Sequence, residues 1–258
     1  MLYNLTLLNS FFLFIAAFIA GGLNAVAGGG SFITFPTLIF TGIPPIAANA
    51  TNNTALWIAT IASVGGYRHN LNIPKKQLLL LCITSLIGGI IGSVILLYTS
   101  VNFFKKLIPY LLLSATLLFT FSEPLKKWLQ NKSLKTNLDE PPLLMVIISQ
   151  LGISIYGGFF GAGVGILMLA SLSFLGIKNI HTMNGFKSFL GGCINGIAII
   201  PFMFAGVIVW PQTLLMAIGS SLGAYLSASY STKLEPGLVK RFVIFVGFAM
   251  TTYFFIRG

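Results

Sequence analysis

Long apolar runs separated by short polar loops restrict what this amino-acid sequence can fold into. Eight runs approach or reach the length of a membrane-crossing helix, at 7–27, 46–66, 77–98, 107–122, 143–160, 185–206, 212–230 and 240–256. Two others, 31–42 and 164–177, are too short to span the membrane comfortably, and each follows a glycine cluster. With 56% hydrophobic and 7% charged residues among 258, the chain cannot cover a soluble surface. The sequence therefore predicts an all-α, polytopic integral membrane protein.

The apolar runs fall into two halves of similar layout. We expect 1–122 to form the first membrane repeat, 143–258 the second, and the polar stretch 123–142 a cytoplasmic linker. Each half passes from a glycine-rich break through a short apolar segment to a Gly-Ile pair, and then into a long helix with a polar start. The common composition of membrane helices is the alternative explanation. The shared order of broken, short and long segments favours two repeats of about five membrane segments each, with two short Gly-broken half-helices.

The basic residues predict that the two halves run in opposite directions. Cytoplasmic loops of membrane proteins are enriched in Lys and Arg. With ten membrane segments and both termini external, twelve of the fifteen basic residues face the cytoplasm: Arg68, Lys75, Lys76, Lys126, Lys127, Lys132, Lys135, Lys178, Lys187, Lys233, Lys240 and Arg241. Reversing the chain would reverse this ratio. Inverted repeats with broken helices are typical of secondary transporters, which bind substrate near the membrane midplane.

Two polar clusters beside the glycine breaks are candidate substrate-binding sites. The first consists of Gly28, Gly29, Gly30 and Ser31, followed by Asn49, Thr51 and Asn52; the second consists of Gly161 and Gly163, followed by Asn184, Lys187 and Asn195. Backbone leaves helical geometry inside a membrane only where protein or a water-filled cavity covers it. The N-terminus of a short helix also attracts an anion. The same residues could instead only pack and hydrogen-bond helices together.

Lys187 is the residue that points most directly to an anion. It lies just inside a predicted apolar helix, and no Asp or Glu lies in any apolar run. A cation at this depth is costly and usually faces a cavity or a partner, so a substrate anion could be that partner. The alternative is that the side chain snorkels to the cytoplasmic interface.

Other classes of function find little support in the sequence. It lacks a Walker loop, paired carboxylates and a metal-ligand cluster, so we expect neither an enzyme nor a cofactor. The basic residues lie between apolar runs, where they favour lipid headgroups over nucleic acid. Cys82 and Cys193 are far apart in the sequence and are interpreted as plain buried thiols.

Two longer motifs resemble a known family. The segment AGGGSFITFPTLIFTGIPPIAANATNNTAL resembles the first-repeat signature of the sulfite exporter TauE/SafE family, also called the toluene-sulfonate uptake permease family. The segment NGFKSFLGGCINGIAIIPFMFAGVIVWPQTLLMAIGSSLGAYLSASYSTKL is similar to its second repeat. The resemblance covers 11–257 and implies export or uptake of sulfite, sulfonates or related organosulfur anions. It matches Gly28, Gly29, Gly30, Asn49, Thr51, Asn52, Lys187 and Asn195 to patterned positions of the family.

We therefore expect a secondary-type transporter that moves a small, sulfur-containing anion across the cytoplasmic (inner) membrane. Its expected partners are that anion and membrane lipid, and the sequence leaves a homo-oligomer open. One rival function is transport of a neutral or cationic solute. Another is a membrane scaffold or assembly factor that transports nothing.

Overall fold

The chain folds into a bundle of α-helices. The computed structural model describes residues 6–26, 28–67, 75–121, 143–174, 180–229 and 236–257. These ranges contain ten helices and no strand: α1 (Leu7–Val26), α2 (Ser31–Phe40), α3 (Pro45–Tyr67), α4 (Lys75–Tyr98), α5 (Val101–Thr120), α6 (Leu143–Phe159), α7 (Val164–Phe174), α8 (Ile180–Phe204), α9 (Trp210–Ser229) and α10 (Pro236–Arg257). The prediction of an all-helical chain is confirmed. The predicted linker at 123–142 lies outside the described residues, as do Arg68, Lys126, Lys127, Lys132, Lys135, Lys178 and Lys233.

Several helices begin before the apolar runs that predicted them. α5 begins at Val101, six residues before the predicted start, so Lys105 and Lys106 belong to the helix. Ser100 caps it, because its Oγ accepts a hydrogen bond from the Phe103 N–H over 3.3 Å. α8 likewise begins at Ile180 rather than at 185. An apolar pattern does not show these polar first turns, because helical geometry continues beyond the hydrocarbon layer.

The exterior of the bundle is apolar. Large side chains such as Phe11 and Phe12 of α1 are 62% and 56% exposed, and many Ile, Leu and Phe side chains on other helices are similarly uncovered. Soluble monomers rarely expose apolar patches of this extent. Four helical segments of the described chain are both long and apolar enough to cross a bilayer, at Leu7–Ala25, Gln77–Tyr98, Val101–Thr120 and Thr182–Phe204. The chain is therefore a multi-pass membrane protein.

α1 and α9 pack with their backbones in close contact. Gly21 of α1 faces the carbonyl group of Ser220, and Gly223 of α9 faces the carbonyl group of Phe18. A Cβ atom at either glycine would overlap the facing oxygen. Only glycine therefore permits this approach, as in other close helix pairs within membranes.

α4 and α6 repeat the same arrangement. Gly158 of α6 faces the carbonyl group of Gly89, and Gly92 of α4 faces the carbonyl group of Ile155. In both interfaces, two residues three apart on one helix meet two residues three apart on the other. The first helix of each half thus packs on the fourth helix of the other half.

α2 and α7 are the two short helices, with 10 and 11 residues. Gly28 lies between α1 and α2 with φ of +85°, and Gly161 lies between α6 and α7 with φ of +80°. Glycine adopts this left-handed conformation readily, and other residues do not. The two turns bring the N-terminal ends of both short helices into the interior of the bundle.

Candidate functional site

A cavity lies where the two turns meet helices α3 and α8. Its open volume is about 20 Å³, close to the space that one water molecule occupies. Its walls come from five helices and the turn before α7: Asn24 of α1, Ser31 of α2, Asn53, Leu56 and Thr60 of α3, Gly161, Val164, Gly165 and Met168, and Lys187, Ser188, Gly191 and Asn195 of α8. Both halves of the chain therefore contribute to one polar-lined space.

Lys187 crosses this space and caps the end of α1. Its side chain is 4% exposed, and its Nζ donates hydrogen bonds to the carbonyl oxygens of Asn24 and Ala25, each over 2.9 Å. A cation at a helix C-terminus is stabilised by the negative end of the helix dipole. The amino group therefore lies inside the bundle and not at the protein surface.

The donor capacity of Lys187 exceeds the two hydrogen bonds that it makes to α1. Lysine carries three N–H donors, of which the two carbonyl groups take two. A protonated Lys187 therefore keeps one further donor for the cavity.

Two asparagine side chains on the cavity wall present unsatisfied polar atoms. Asn53 is 2% exposed and Asn195 is 8% exposed. The Nδ2 of Asn53 and the Oδ1 of Asn195 have no hydrogen-bond partner among the residues that the structure describes. Buried polar atoms are almost always paired, and leaving one unpaired costs about 1–3 kcal/mol. Each of these two lining residues therefore carries one buried polar atom without a partner among the described residues.

The N-terminal ends of α2 and α7 also line the cavity. Ser31 is the first residue of α2, and Val164 and Gly165 begin α7. The turn before α2 touches the start of α7, because an added Cβ at Gly28 would lie 2.9 Å from the Cα of Gly165. Each end carries partial positive charge from its helix dipole. Together with Lys187, they make the electrostatics of the cavity favourable for an anion.

The structure brings together four of the twelve predicted site residues at the cavity wall: Ser31, Gly161, Lys187 and Asn195. The other residues predicted from α3 pack behind it. Asn49 donates through Nδ2 to the Phe159 carbonyl oxygen over 2.9 Å, and the hydroxyl of Thr51 accepts from the Val209 N–H over 3.0 Å. Asn52 donates to the Ser31 hydroxyl over 3.1 Å and accepts from Thr34. These three side chains hold elements in place around the site.

The remaining predicted residues do not line the cavity. Gly28 sits directly behind it against Gly165, while Gly29 faces Val243 of α10 and Gly30 faces the Ala20 carbonyl. Gly163 faces Ala115 of α5. Asn184 is buried in α8, outside the lining residues.

Thr60 and Ser188 also line the cavity, although the sequence did not single them out. Asn53 belongs to the polar run 49–54, but nothing in that run shows which side chain faces inward. Ser188 follows Lys187 directly. Ser188, Gly191 and Asn195 follow one another at intervals of three and four residues, so they lie on one face of α8. A helical projection would therefore have grouped Ser188 with Asn195.

The helical bundle, its apolar exterior and the cavity shared by its two halves define a protein of the membrane-transporter class. The chain belongs to the sulfite exporter TauE/SafE family, whose sequence profile matches residues 13–254. The "Probable membrane transporter protein" of Haemophilus influenzae is 29% identical over 240 residues, which cover 93% of this chain and 91% of that protein. The "Probable membrane transporter protein ORF9" of a Sinorhizobium species is 26% identical over 249 residues, 93% of this chain and 89% of that protein. The Escherichia coli protein "Probable membrane transporter protein YfcA" is 24% identical over 241 residues, with 93% and 87% covered. No solved structure is significantly similar to the chain.

Proposed function

We propose that this protein is a secondary-type transporter that moves a small anion across the cytoplasmic membrane. The observation that carries the proposal is the buried Lys187 side chain at the cavity wall, whose Nζ donates to two carbonyl oxygens at the end of α1. An intramembrane cation of this kind marks a substrate pathway or awaits an anionic partner. The N-terminal ends of α2 and α7 favour the same sign of ligand.

The anion that we propose contains sulfur: sulfite, a sulfonate or a related organosulfur anion. The description of the family as sulfite exporters supports this choice. A sulfonate or sulfite group offers three oxygen acceptors on one centre. Such a group can accept hydrogen bonds from Lys187, the Nδ2 of Asn53 and a helix N-terminus together.

We also propose that the two halves are inverted repeats whose broken helices, α1–α2 and α6–α7, meet at the site. The matching glycine interfaces of α1 with α9 and of α4 with α6 support the repeat. The distribution of the basic residues supports opposite orientations, with both termini outside. Alternating access would then be a movement of one repeat unit against the other around a fixed cavity. Substrate anion and lipid are the proposed partners.

A flux panel in proteoliposomes tests the proposal. Vesicles that contain the purified protein would be assayed for uptake of sulfite, sulfate, thiosulfate and short sulfonates, with and without a pH gradient. Protein-free vesicles and the neutral solute dimethyl sulfone serve as controls. We expect protein-dependent flux of at least one sulfur anion and none of dimethyl sulfone. Flux of dimethyl sulfone alone would refute transport of an anion, and no flux of any solute would favour a scaffold.

A further inference from the structure

We propose that the cavity prefers an anion that carries its own hydrogen-bond donor, such as a hydrogen oxyanion or a hydroxyl-bearing sulfonate, over an anion that carries only acceptors. The inference rests on the proposed function, because it takes the cavity as the anion's site. It adds a selection rule that comes from the two unpaired asparagine atoms and not from the charge of Lys187.

The first half of the rule comes from the donors. The Nδ2 of Asn53 lacks a partner among the described residues, and Lys187 has one donor beyond the two that its carbonyl groups accept. Any small oxyanion can satisfy these groups through its oxygen atoms. The donors therefore do not distinguish one oxyanion from another.

The second half comes from the acceptor. The Oδ1 of Asn195 is buried on the same wall and has no donor among the described residues. An anion without a hydrogen places its oxygen lone pairs against this carbonyl oxygen or leaves it unpaired. An anion with an O–H or N–H group can donate to Asn195 while its other oxygen atoms accept from Asn53 and Lys187. Such an anion would give each of these three groups a partner.

The effect on affinity should be large enough to measure. Leaving one buried acceptor unpaired corresponds to an affinity loss of about 5- to 150-fold. Sites that hydrogen-bond a substrate hydroxyl reject analogues without it for this reason. The competing possibility is that a water molecule in the cavity donates to Asn195, and then the two kinds of anion bind alike.

The test compares two anions that differ at one group. In 2-hydroxyethanesulfonate, a hydroxyl group takes the place of the terminal methyl group of 1-propanesulfonate, with the same charge and the same number of heavy atoms. Binding of each to the purified, detergent-solubilised protein would be measured by calorimetry. We expect 2-hydroxyethanesulfonate to bind about 5- to 150-fold more tightly.

Two variants connect any preference to its cause. Asn195→Leu should abolish the preference, mainly by weakening binding of the hydroxyl-bearing anion. Gln150→Leu is the matched control, because Gln150 is also a buried amide, 2% exposed, but bonds to Ser85 over 2.8 Å away from the cavity. That variant should keep the ratio of the two affinities.

The outcomes separate the inference from the proposed function. Equal affinities in the parent protein overturn the inference and leave the proposed function standing. The same holds if Asn195→Leu retains the preference. Binding of neither sulfonate, together with no binding of sulfite, overturns both. Because the parent protein alone gives the first result, the test does not depend on how well the variants fold.

Discussion

Replacing Lys187 with methionine tests the charge at the centre of the site. Methionine has similar length and no charge, so the change removes the ammonium group and leaves the packing against Gly165 nearly intact. At an effective dielectric constant of 20, an anion about 4 Å from the ammonium gains roughly 4 kcal/mol. Desolvation of both ions removes much of this. A net loss of about 1–3 kcal/mol, or about 5- to 150-fold in affinity, is therefore expected.

The same substitution should lower stability by a separate route. The carbonyl oxygens of Asn24 and Ala25 each lose a charged donor at 2.9 Å. Each buried oxygen left unpaired costs about 1–3 kcal/mol, so the end of α1 should loosen. Lys187→Arg keeps the charge and should recover part of both losses.

Anion binding and thermal unfolding of the purified protein measure the two effects. Lys105→Met is the control, because Lys105 is exposed in α5 and carries the same change of side chain outside the cavity. It should alter neither measurement. If Lys187→Met unfolds at a lower temperature but binds the anion as the parent does, then Lys187 only caps α1. The anion site would in that case rest on the helix ends and the asparagine side chains.

Three further perturbations test the turns, the packing and the orientation. Gly28→Ala should reduce stability by about 1–3 kcal/mol and slow transport, because alanine is strained at φ +85° and its Cβ would press on the backbone of α7. Thermal unfolding and flux assays measure the two effects. The control Gly152→Ala should be neutral, because no atom lies within 4 Å of its added Cβ. A mild oxidant such as diamide should join Cys82 and Cys193, whose sulfur atoms lie 3.3 Å apart, with loss of 2 Da in the intact mass; an unchanged mass would mean that α4 and α8 do not meet there. A cysteine placed at Asn131 in a Cys-free background should resist an impermeant maleimide added outside the cell, and labelling from outside would overturn the predicted orientation.

Much of the architecture could be predicted from local features of the sequence. Each of the ten apolar runs corresponds to a helix, and both short helices follow the expected glycine clusters. Helix boundaries were less accurate, as at α5, where a polar first turn precedes the apolar stretch. The length of an apolar run identifies the part of a helix that lies in lipid. It does not show how far the helix continues beyond the hydrocarbon layer.

The composition of the site was predictable, but the inward-facing residues were not. Asn49, Thr51, Asn52 and Asn53 lie in one polar run, where successive side chains point about 100° apart around the helix. Asn53 lines the cavity, while the other three bond to neighbouring segments. The predicted glycines also differ in where they face, since Gly161 lines the cavity and Gly29 faces α10.

The sequence alone determined that the chain is a membrane protein whose described residues are helical, and it located the two glycine clusters that precede the short helices. These properties follow from hydrophobicity, charge and backbone freedom, which act over a few residues. Only the tertiary structure decided that Lys187 caps α1, that Asn53 and Asn195 share one cavity, and that the two cysteine sulfur atoms meet. Each of these contacts joins helices more than a hundred residues apart. They depend on how each helix is rotated about its axis relative to its neighbours. Close packing between helices sets this rotation, and it cannot be read from one sequence.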